Sequence, residues 1–190
     1  MINPTQPLLS KITKRLSLIL FKHGLTPSVR QEPRKPFTVI PPVSRLEAGQ
    51  EKILRIMKTE GNLPQDRESV FWLNIKNIPP ASNKPNAMEI AIKTRIKLFW
   101  RPASLNITPE HAATQVKWHR ENRQLVVENP TPLNINVMNV TVDGKDVPLN
   151  IVHPFETLRL PLPEGVNGHA LVWRYVNDFG AISQDLKAAL

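Results

Sequence analysis

The residues to weigh first for catalysis or metal binding are the five histidines, His23, His111, His119, His153 and His169. No two of them stand in the H-x-x-x-H spacing that places a pair of imidazoles on one helix face. The chain has no cysteine, which excludes a zinc–thiolate site, an iron–sulfur cluster, a thiol nucleophile and any disulfide. No G-x-S-x-G nucleophile turn and no phosphate-cradling glycine loop occurs. These absences point away from an enzyme, from ATP and from any cofactor. They point towards work done by binding.

The strongest binding signal is the stretch from Asn86 to Trp100. Met88, Ile90 and Ile92 alternate with Glu89, Ala91 and Lys93, the pattern of a strand with one apolar face. Two readings are open on alternation alone. The apolar row lines the protein's own core, or it is offered to another chain. Lys97, further along the same stretch, reads as a solvated lysine guarding a sheet edge.

The elements that must position these residues are short strands. The chain of 190 residues holds 19 prolines and only 7 glycines, and each proline fixes φ and removes a backbone donor. Prolines scattered through apolar runs suit an all-β protein whose strands end at proline-marked turns. Phe37 and Val39 begin a strand that Pro41-Pro42 ends, and Leu46 to Gln50 reads as a turn. Ile53 to Met57 is a strand with Arg55 facing away from Leu54 and Ile56, and Asn62 to Glu68 is a polar loop. Val70 to Ile78 is a strand with Phe71, Leu73 and Ile75 on one face. Arg101-Pro102 marks a domain boundary followed by a dozen loop-like residues. A second series follows: Val116 with Trp118, Leu125 to Val127, the alternation Leu133, Ile135, Val137, and Val140 with Val142 leading into the hairpin turn Asp143-Gly144. Leu158, Leu160 and Leu162 alternate again, Leu171 to Val176 is the last strand, and 181–190 frays or ends in a helical turn. Two such series indicate two β-sandwiches.

Residues 1–36 differ in texture. They carry seven basic groups against the single acid Glu32, which is +6 of the net +9, so the rest of the chain is close to balanced. The high pI therefore argues for a basic segment, not for a nucleic-acid-binding domain. Leu8, Ile12, Leu16 and Leu20 recur at helical spacing and predict a short amphipathic helix over 8–22. The apolar run from Leu16 to Phe21 is too short to span a membrane and shorter than the usual apolar region of a signal peptide, and no A-x-A-like site follows.

Several segments resemble the periplasmic pilus-assembly chaperones of the chaperone–usher pathway, the PapD-like family. They are Pro36-Phe37-Thr38-Val39-Ile40-Pro41-Pro42 with Arg45-Leu46, then Asn62-Leu63-Pro64-Gln65-Asp66-Arg67-Glu68-Ser69, Asn77-Ile78-Pro79-Pro80 and Thr94-Arg95-Ile96-Lys97-Leu98-Phe99-Trp100-Arg101-Pro102. Asn129-Pro130-Thr131-Pro132 and Asn177-Asp178-Phe179-Gly180 continue the match in the second half. Each is weak alone; in the family's order and spacing they are specific, and they cover about 36–180. The resemblance implies two immunoglobulin-like sandwiches, 36–102 as a partial first domain and 103–190 as the second, after an atypical basic segment 1–35.

The resemblance also implies partners and roles. The partners are fimbrial (pilin) subunits and the outer-membrane usher, in the periplasm, with neither nucleic acid nor membrane insertion. Asn86, Met88, Ile90 and Ile92 match the strand that such chaperones lend to a subunit. Lys97 matches the lysine that anchors the subunit's terminal carboxylate in the cleft between domains. Glu68, Arg101 and Asp178 match a charge network between the two domains. The opening of the chain departs from the family. Its first strands, with an arginine that shares the carboxylate, are met only by Thr13-Lys14-Arg15-Leu16. The expectation is a first domain lacking its opening strands, from an incomplete or altered N-terminus, and impaired subunit binding. The competing readings are an immunoglobulin-like structural or adhesive protein and a basic surface binder that uses residues 1–36.

Overall fold

A computed structural model describes residues 8–13, 19–27, 36–47, 49–59, 61–79, 86 and 88–190, the segments 8–13 and 19–27 by backbone alone. The described residues form strands and one short helix, and the chain forms two units. Unit 1 takes residues to Pro64 together with Ser69–Ala103; unit 2 takes Gln65–Glu68 together with Ser104–Leu190.

Among its described residues unit 1 holds seven strands: β1 Leu8–Thr13, β2 Ile19–Pro27, β3 Phe37–Ile40, β4 Val43–Leu46, β5 Glu51–Lys58, β6 Ser69–Ile78 and β7 Ile92–Trp100. They form two antiparallel sheets, β1-β5-β3 and β4-β2-β6-β7. A strand half buried on one face must alternate, and β3 and β6 do so. Phe37 and Val39 point inward from β3, and Phe71, Leu73 and Ile75 from β6. With Leu46, Leu54, Ile56, Leu98 and Trp100 they form one apolar core. Phe37 packs edge-on against Phe71 with ring centres 5.1 Å apart, and tilts against Trp100 at 5.7 Å. The Pro41-Pro42 pair carries the chain from β3 in one sheet to β4 in the other, with a cis Ile40–Pro41 bond.

Two expectations about the start of the chain are corrected here. Residues 8–22 do not form a helix: β1 pairs with β5 from Leu8↔Ile56 to Thr13↔Glu51, and β2 pairs with both β4 and β6. The first sandwich therefore has strands ahead of β3, where the sequence predicted none. The reason is physical. A 3.6-residue apolar spacing is a weak prior, and ladders offered by two existing strands outweigh it. Lys14 and Arg15, the nearest match to the family's carboxylate-sharing arginine, lie outside the described residues.

Unit 2 opens with the helix α1, Pro109–Gln115, where the sequence predicted loop. Thr108 caps it, its Oγ1 accepting from the His111 N–H, and Pro109 occupies the first turn where a missing donor costs nothing. Seven strands follow: β8 Lys117–Glu121, β9 Gln124–Glu128, β10 Val137–Val142, β11 Lys145–Asp146, β12 Thr157–Pro161, β13 Ala170–Tyr175 and β14 Leu186–Ala189. Their sheets are β12-β9-β8 and β11-β10-β13-β14. The Asp143-Gly144 turn joins β10 to β11 with both residues at positive φ, 51° and 76°, as a tight hairpin of this kind requires. Trp118 and Trp173 meet across the core at 5.4 Å.

Smaller differences follow from pairing. Leu46, read as turn, is the buried end of β4, and beyond it the Gln50 N–H donates to the Glu47 carbonyl at 3.1 Å. Leu133, Ile135 and Val137 are all buried as their alternation predicts, yet Ile135 makes only an isolated bridge to Val152. The C-terminal residues neither fray nor turn helical: β14 pairs with β13 from Trp173↔Leu186 to Ala170↔Ala189. Among the described residues no helix is long and apolar enough to cross a membrane.

Candidate functional site: an open apolar sheet edge

β7 is the last strand of its sheet. It pairs with β6 from Ser69↔Trp100 to Asn77↔Ile92, and among the described residues nothing pairs with its other side. Its inward row is Trp100, Leu98, Ile96, Thr94 and Ile92, continued by Ile90 and Met88 ahead of the strand. Trp100 and Leu98 are buried in the core of unit 1. From there the row runs out into solvent: Ile96 and Ile92 are each 45% exposed, Ile90 66% and Met88 86%. The exposure of Met88, Ile90 and Ile92 argues against the reading in which they line the protein's own core. One row of apolar side chains stabilises the protein's own sandwich at one end and stands uncovered at the other.

The predicted strand over Asn86–Trp100 is shorter than expected. It starts at Ile92, Met88–Ala91 lie outside it, and Asn86 sits in a turn with φ of 62°. Among the described residues no strand ladder includes Met88–Ala91, and without a ladder a segment is not held as a strand. Exposed apolar side chains and free backbone donors and acceptors on one edge are an aggregation hazard unless a partner covers them.

The outward row of β7 is Lys93, Arg95 and Lys97. Lys97 lies directly opposite Trp72 of β6. Its ammonium is 5.9 Å from the Trp72 ring centre, and the Arg95 guanidinium is 4.5 Å from the same centre. Partial burial of Lys97 holds its ammonium below the usual lysine range. Arg95 and the Trp72 platform were not singled out from sequence, because only the register of β6 against β7 brings them beside Lys97.

Glu68 has a local structural role in unit 2. It is buried, and its Oε2 accepts from the Asn134 backbone N–H and from Asn134 Nδ2, each at 2.9 Å. Asn134 Oδ1 in turn meets His153 Nδ1 at 2.9 Å, and the Glu68 N–H donates to the Pro132 carbonyl at 2.8 Å. Replacing Glu68 with Ala strands two buried donors on Asn134. The expected loss is about 2–4 kcal/mol of unit 2 stability, near the cost of one or two unsatisfied groups, read by chemical denaturation. An unchanged midpoint would contradict it. Arg101 and Asp178 are both half-buried, and Asp178 stands in a turn that Asn177 closes, its Oδ1 accepting from the Phe179 and Ala181 N–H groups at 3.0 Å each.

The edge strand of unit 1 thus carries an uncovered apolar row. Residues 19–106 match the family "Pili and flagellar-assembly chaperone, PapD N-terminal domain", and residues 111–187 match "Pili assembly chaperone PapD, C-terminal domain". The chaperone protein FocC of Escherichia coli is 35% identical over 158 residues, covering 81% of this chain and 70% of that protein. Chaperone protein FimC of Escherichia coli K12 is 34% identical over 160 residues, covering 81% and 65%. Among solved structures, the Salmonella enterica SafA pilin in complex with the SafB chaperone matches with a TM-score of 0.87 at 35% identity, over 97% of this chain and 89% of that one. The Escherichia coli chaperone DraB matches with a TM-score of 0.84 at 32% identity, over 98% and 91%. The chain belongs to the PapD-like family of pilus-assembly chaperones. The all-β, two-sandwich reading is borne out with it.

Proposed function

We propose that the protein holds pilin subunits by adding its β7 edge to them as a strand, with Met88, Ile90 and Ile92 filling a subunit groove and Lys97 binding the subunit's terminal carboxylate. The observation that carries this reading is the gradient of exposure along one row of side chains, from buried Trp100 in β7 to 86% exposed Met88 ahead of it. Alternate side chains in an extended strand recur about every 6.7 Å, so the row offers regularly spaced plugs while the backbone offers a ladder. The subunit supplies the complementary need, an incomplete sheet whose exposed groove is costly in water. Asn86 enters the same proposal as the turn residue from which the lent segment starts. The work is binding and strand exchange; it calls for no cofactor and no catalysis. By the family's pathway it takes place in the periplasm and ends with delivery of the subunit to the outer-membrane usher. The network role of Glu68, Arg101 and Asp178 rests on the resemblance. The test of the whole reading is co-purification with a co-expressed pilin: a one-to-one complex is expected, and a pilin that stays unbound and aggregates would overturn it.

The Lys97 role has its own test. A carboxylate placed beside Lys97 favours the charged ammonium and raises its pKa from the lowered value of the free protein. Affinity is therefore full below the free-state pKa and declines between the free and bound values as pH rises, a window that begins below the ordinary 10.5 of lysine. Lys97→Met is expected to abolish this pH dependence, lower subunit affinity roughly tenfold and leave thermal stability unchanged. Calorimetric titration across alkaline pH measures both effects.

A further inference from the structure

Unit 2 has a small cleft where the turn between β8 and β9 meets the loop between β12 and β13. Its volume is about 260 Å³, and the buried Leu162 and Val166 line it together with Arg120, Arg123 and Asn167. The turn and the loop are tied by the Leu162 N–H, which donates to the Arg123 carbonyl at 2.9 Å. Arg120 is half-buried and reaches across the same junction. Its Nε donates to the Asn122 carbonyl at 2.9 Å, its Nη2 to the Val166 carbonyl at 3.2 Å and its Nη1 to the Gly168 carbonyl at 3.4 Å. A guanidinium has five N–H donors, so two remain after these bonds. Lys145 comes to the same loop, its Nζ donating to the Glu164 carbonyl at 2.5 Å. A Cβ added to Gly165, another residue lining the cleft, would stand 3.0 Å from that ammonium.

None of these cations is held by a carboxylate. Carbonyls hold Arg120 and Lys145, and among the described residues the exposed Arg123 guanidinium has neither a hydrogen bond nor an ion pair. The acids nearby are turned elsewhere. Glu121 follows Arg120 in β8 and so faces the other side of the strand, where it pairs with Arg159 at 3.1 Å and His119 at 3.2 Å. Asp143 accepts from the Gly168 N–H at 2.6 Å, and Glu164 is exposed and does not line the cleft.

A carbonyl orients a guanidinium without cancelling its charge. A cleft lined by charge of one sign focuses its potential and concentrates ions of the other sign. Arg120 is also fixed before any ligand arrives, so little freedom is lost on binding. Size and donor number narrow the ligand. Sites for drug-sized molecules run roughly 300–1,000 Å³, so this cleft suits a small group. Two guanidinia and the Asn167 amide offer more donors than the two oxygens of a carboxylate need, and arginine forks match phosphate oxygens in pairs.

We propose that Arg120, Arg123 and Asn167 form a binding site in unit 2 for a phosphate group, either free or on a lipid headgroup. Arg123 is the cation that closes on the phosphate, and Arg120 is the fixed one. The site lies within unit 2, and it holds or fails independently of the strand-lending reading.

The experiment uses the full chain and follows the Arg120 and Arg123 Nε–H and Asn167 side-chain signals by NMR. Inorganic phosphate is titrated at constant ionic strength, with acetate as the carboxylate control. Phosphate is expected to shift all three signals, and acetate at equal concentration to shift them little. Arg123→Gln should weaken phosphate binding roughly tenfold, the loss of one charge-assisted pair. Its unfolding midpoint should not move, because the exposed side chain has no bond to lose. Asn167→Ala should weaken phosphate about two- to threefold, as a neutral donor contributes less. Arg45→Gln, in unit 1, should leave binding as in the parent. Sedimentation with vesicles of phosphatidylglycerol and phosphatidylcholine, against phosphatidylcholine alone, separates the two sources. Binding to the anionic vesicles that inorganic phosphate displaces and Arg123→Gln removes supports the site and assigns a lipid headgroup. Phosphate shifts without vesicle binding support it and assign a soluble phosphate. Absent shifts, equal shifts with acetate, or phosphate binding that survives Arg123→Gln unchanged would overturn it.

Discussion

Replacing Ile90 with Asp lowers pilin affinity by about a hundredfold or more and leaves the melting temperature of the free chaperone where it was. The two halves of that result follow from one fact. Ile90 is 66% exposed and stands outside β7, so the free protein gains little from it. A substitution at such a surface position is usually worth within about 0.5 kcal/mol of stability. On the proposed reading the subunit groove covers the same side chain in the complex, where burying an isoleucine contributes roughly 1.5–3 kcal/mol. An aspartate there forfeits that gain and also brings an unpaired charge into an apolar groove. A loss of about 2.7 kcal/mol is already a hundredfold in affinity. Ile90→Val should be nearly silent, since it shortens the side chain by one methyl. Met88→Asp and Ile92→Asp test neighbouring plugs, and Ile92 is expected to show some loss of stability as well, because it is only 45% exposed and is paired with Asn77 in the ladder. Calorimetry with a pilin and thermal unfolding of the free protein read the two halves separately. A falling melting temperature with unchanged pilin affinity would assign the row to the chaperone's own core.

How far the sequence could carry this depends on what lies across each strand. Leu54, Arg55 and Ile56 read correctly because one face of β5 is buried and the other wet, so residue type alone records the face. Ile90 and Met88 show the same alternation with the opposite meaning. Type says apolar; whether an apolar residue is covered depends on a neighbour in space, and Ile90 and Met88 stand exposed. Only the family resemblance pointed to exposure. Lys97 was legible as a residue, but its half-burial comes from sitting across the ladder from Trp72, a register no local pattern encodes. The strands β1, β2 and β14 were missed for a related reason. Each is held by pairing with strands distant in the chain, β1 with β5, β2 with β6 and β4, β14 with β13. The helix α1 did leave signals, Thr108 as cap, Pro109 behind it and Glu110 in the first turn. Seven residues are too few for a helical period to stand out beside them.

The Asn129-Pro130-Thr131-Pro132 segment is one of those that together carry the resemblance, and Asn129 has a structural role in unit 2. Asn129 is fully buried, and its side-chain amide does work in both directions. Nδ2 donates to the carbonyls of Leu133 at 2.7 Å, His153 at 2.9 Å and Val152 at 3.3 Å. Oδ1 accepts from the Thr131 N–H at 3.1 Å and from Thr131 Oγ1 at 2.7 Å. Asn129→Asp keeps the shape and removes the donors, leaving a carboxylate against three carbonyl oxygens in a dry site. The expected loss is about 3–5 kcal/mol of unit 2 stability near neutral pH, the range for a buried charge without compensation. That is a large share of the roughly 5–15 kcal/mol that holds a domain folded. The pH dependence has a definite sign. Burial among carbonyls raises the folded-state pKa of the new carboxyl above its unfolded value of about 3.9. The destabilisation is therefore smallest below that value, where the protonated acid can still donate one hydrogen bond. It grows as pH rises towards the folded-state pKa and is complete above it. Denaturant unfolding of the variant and the parent at pH 4 and pH 7, with hydrogen exchange to separate the two units, measures the difference. Equal stability losses at both pH values would mean that Asn129 acts through shape and not through its amide donors. The exposed row of β7 should meanwhile behave as in the parent, because it belongs to unit 1 and shares none of these bonds.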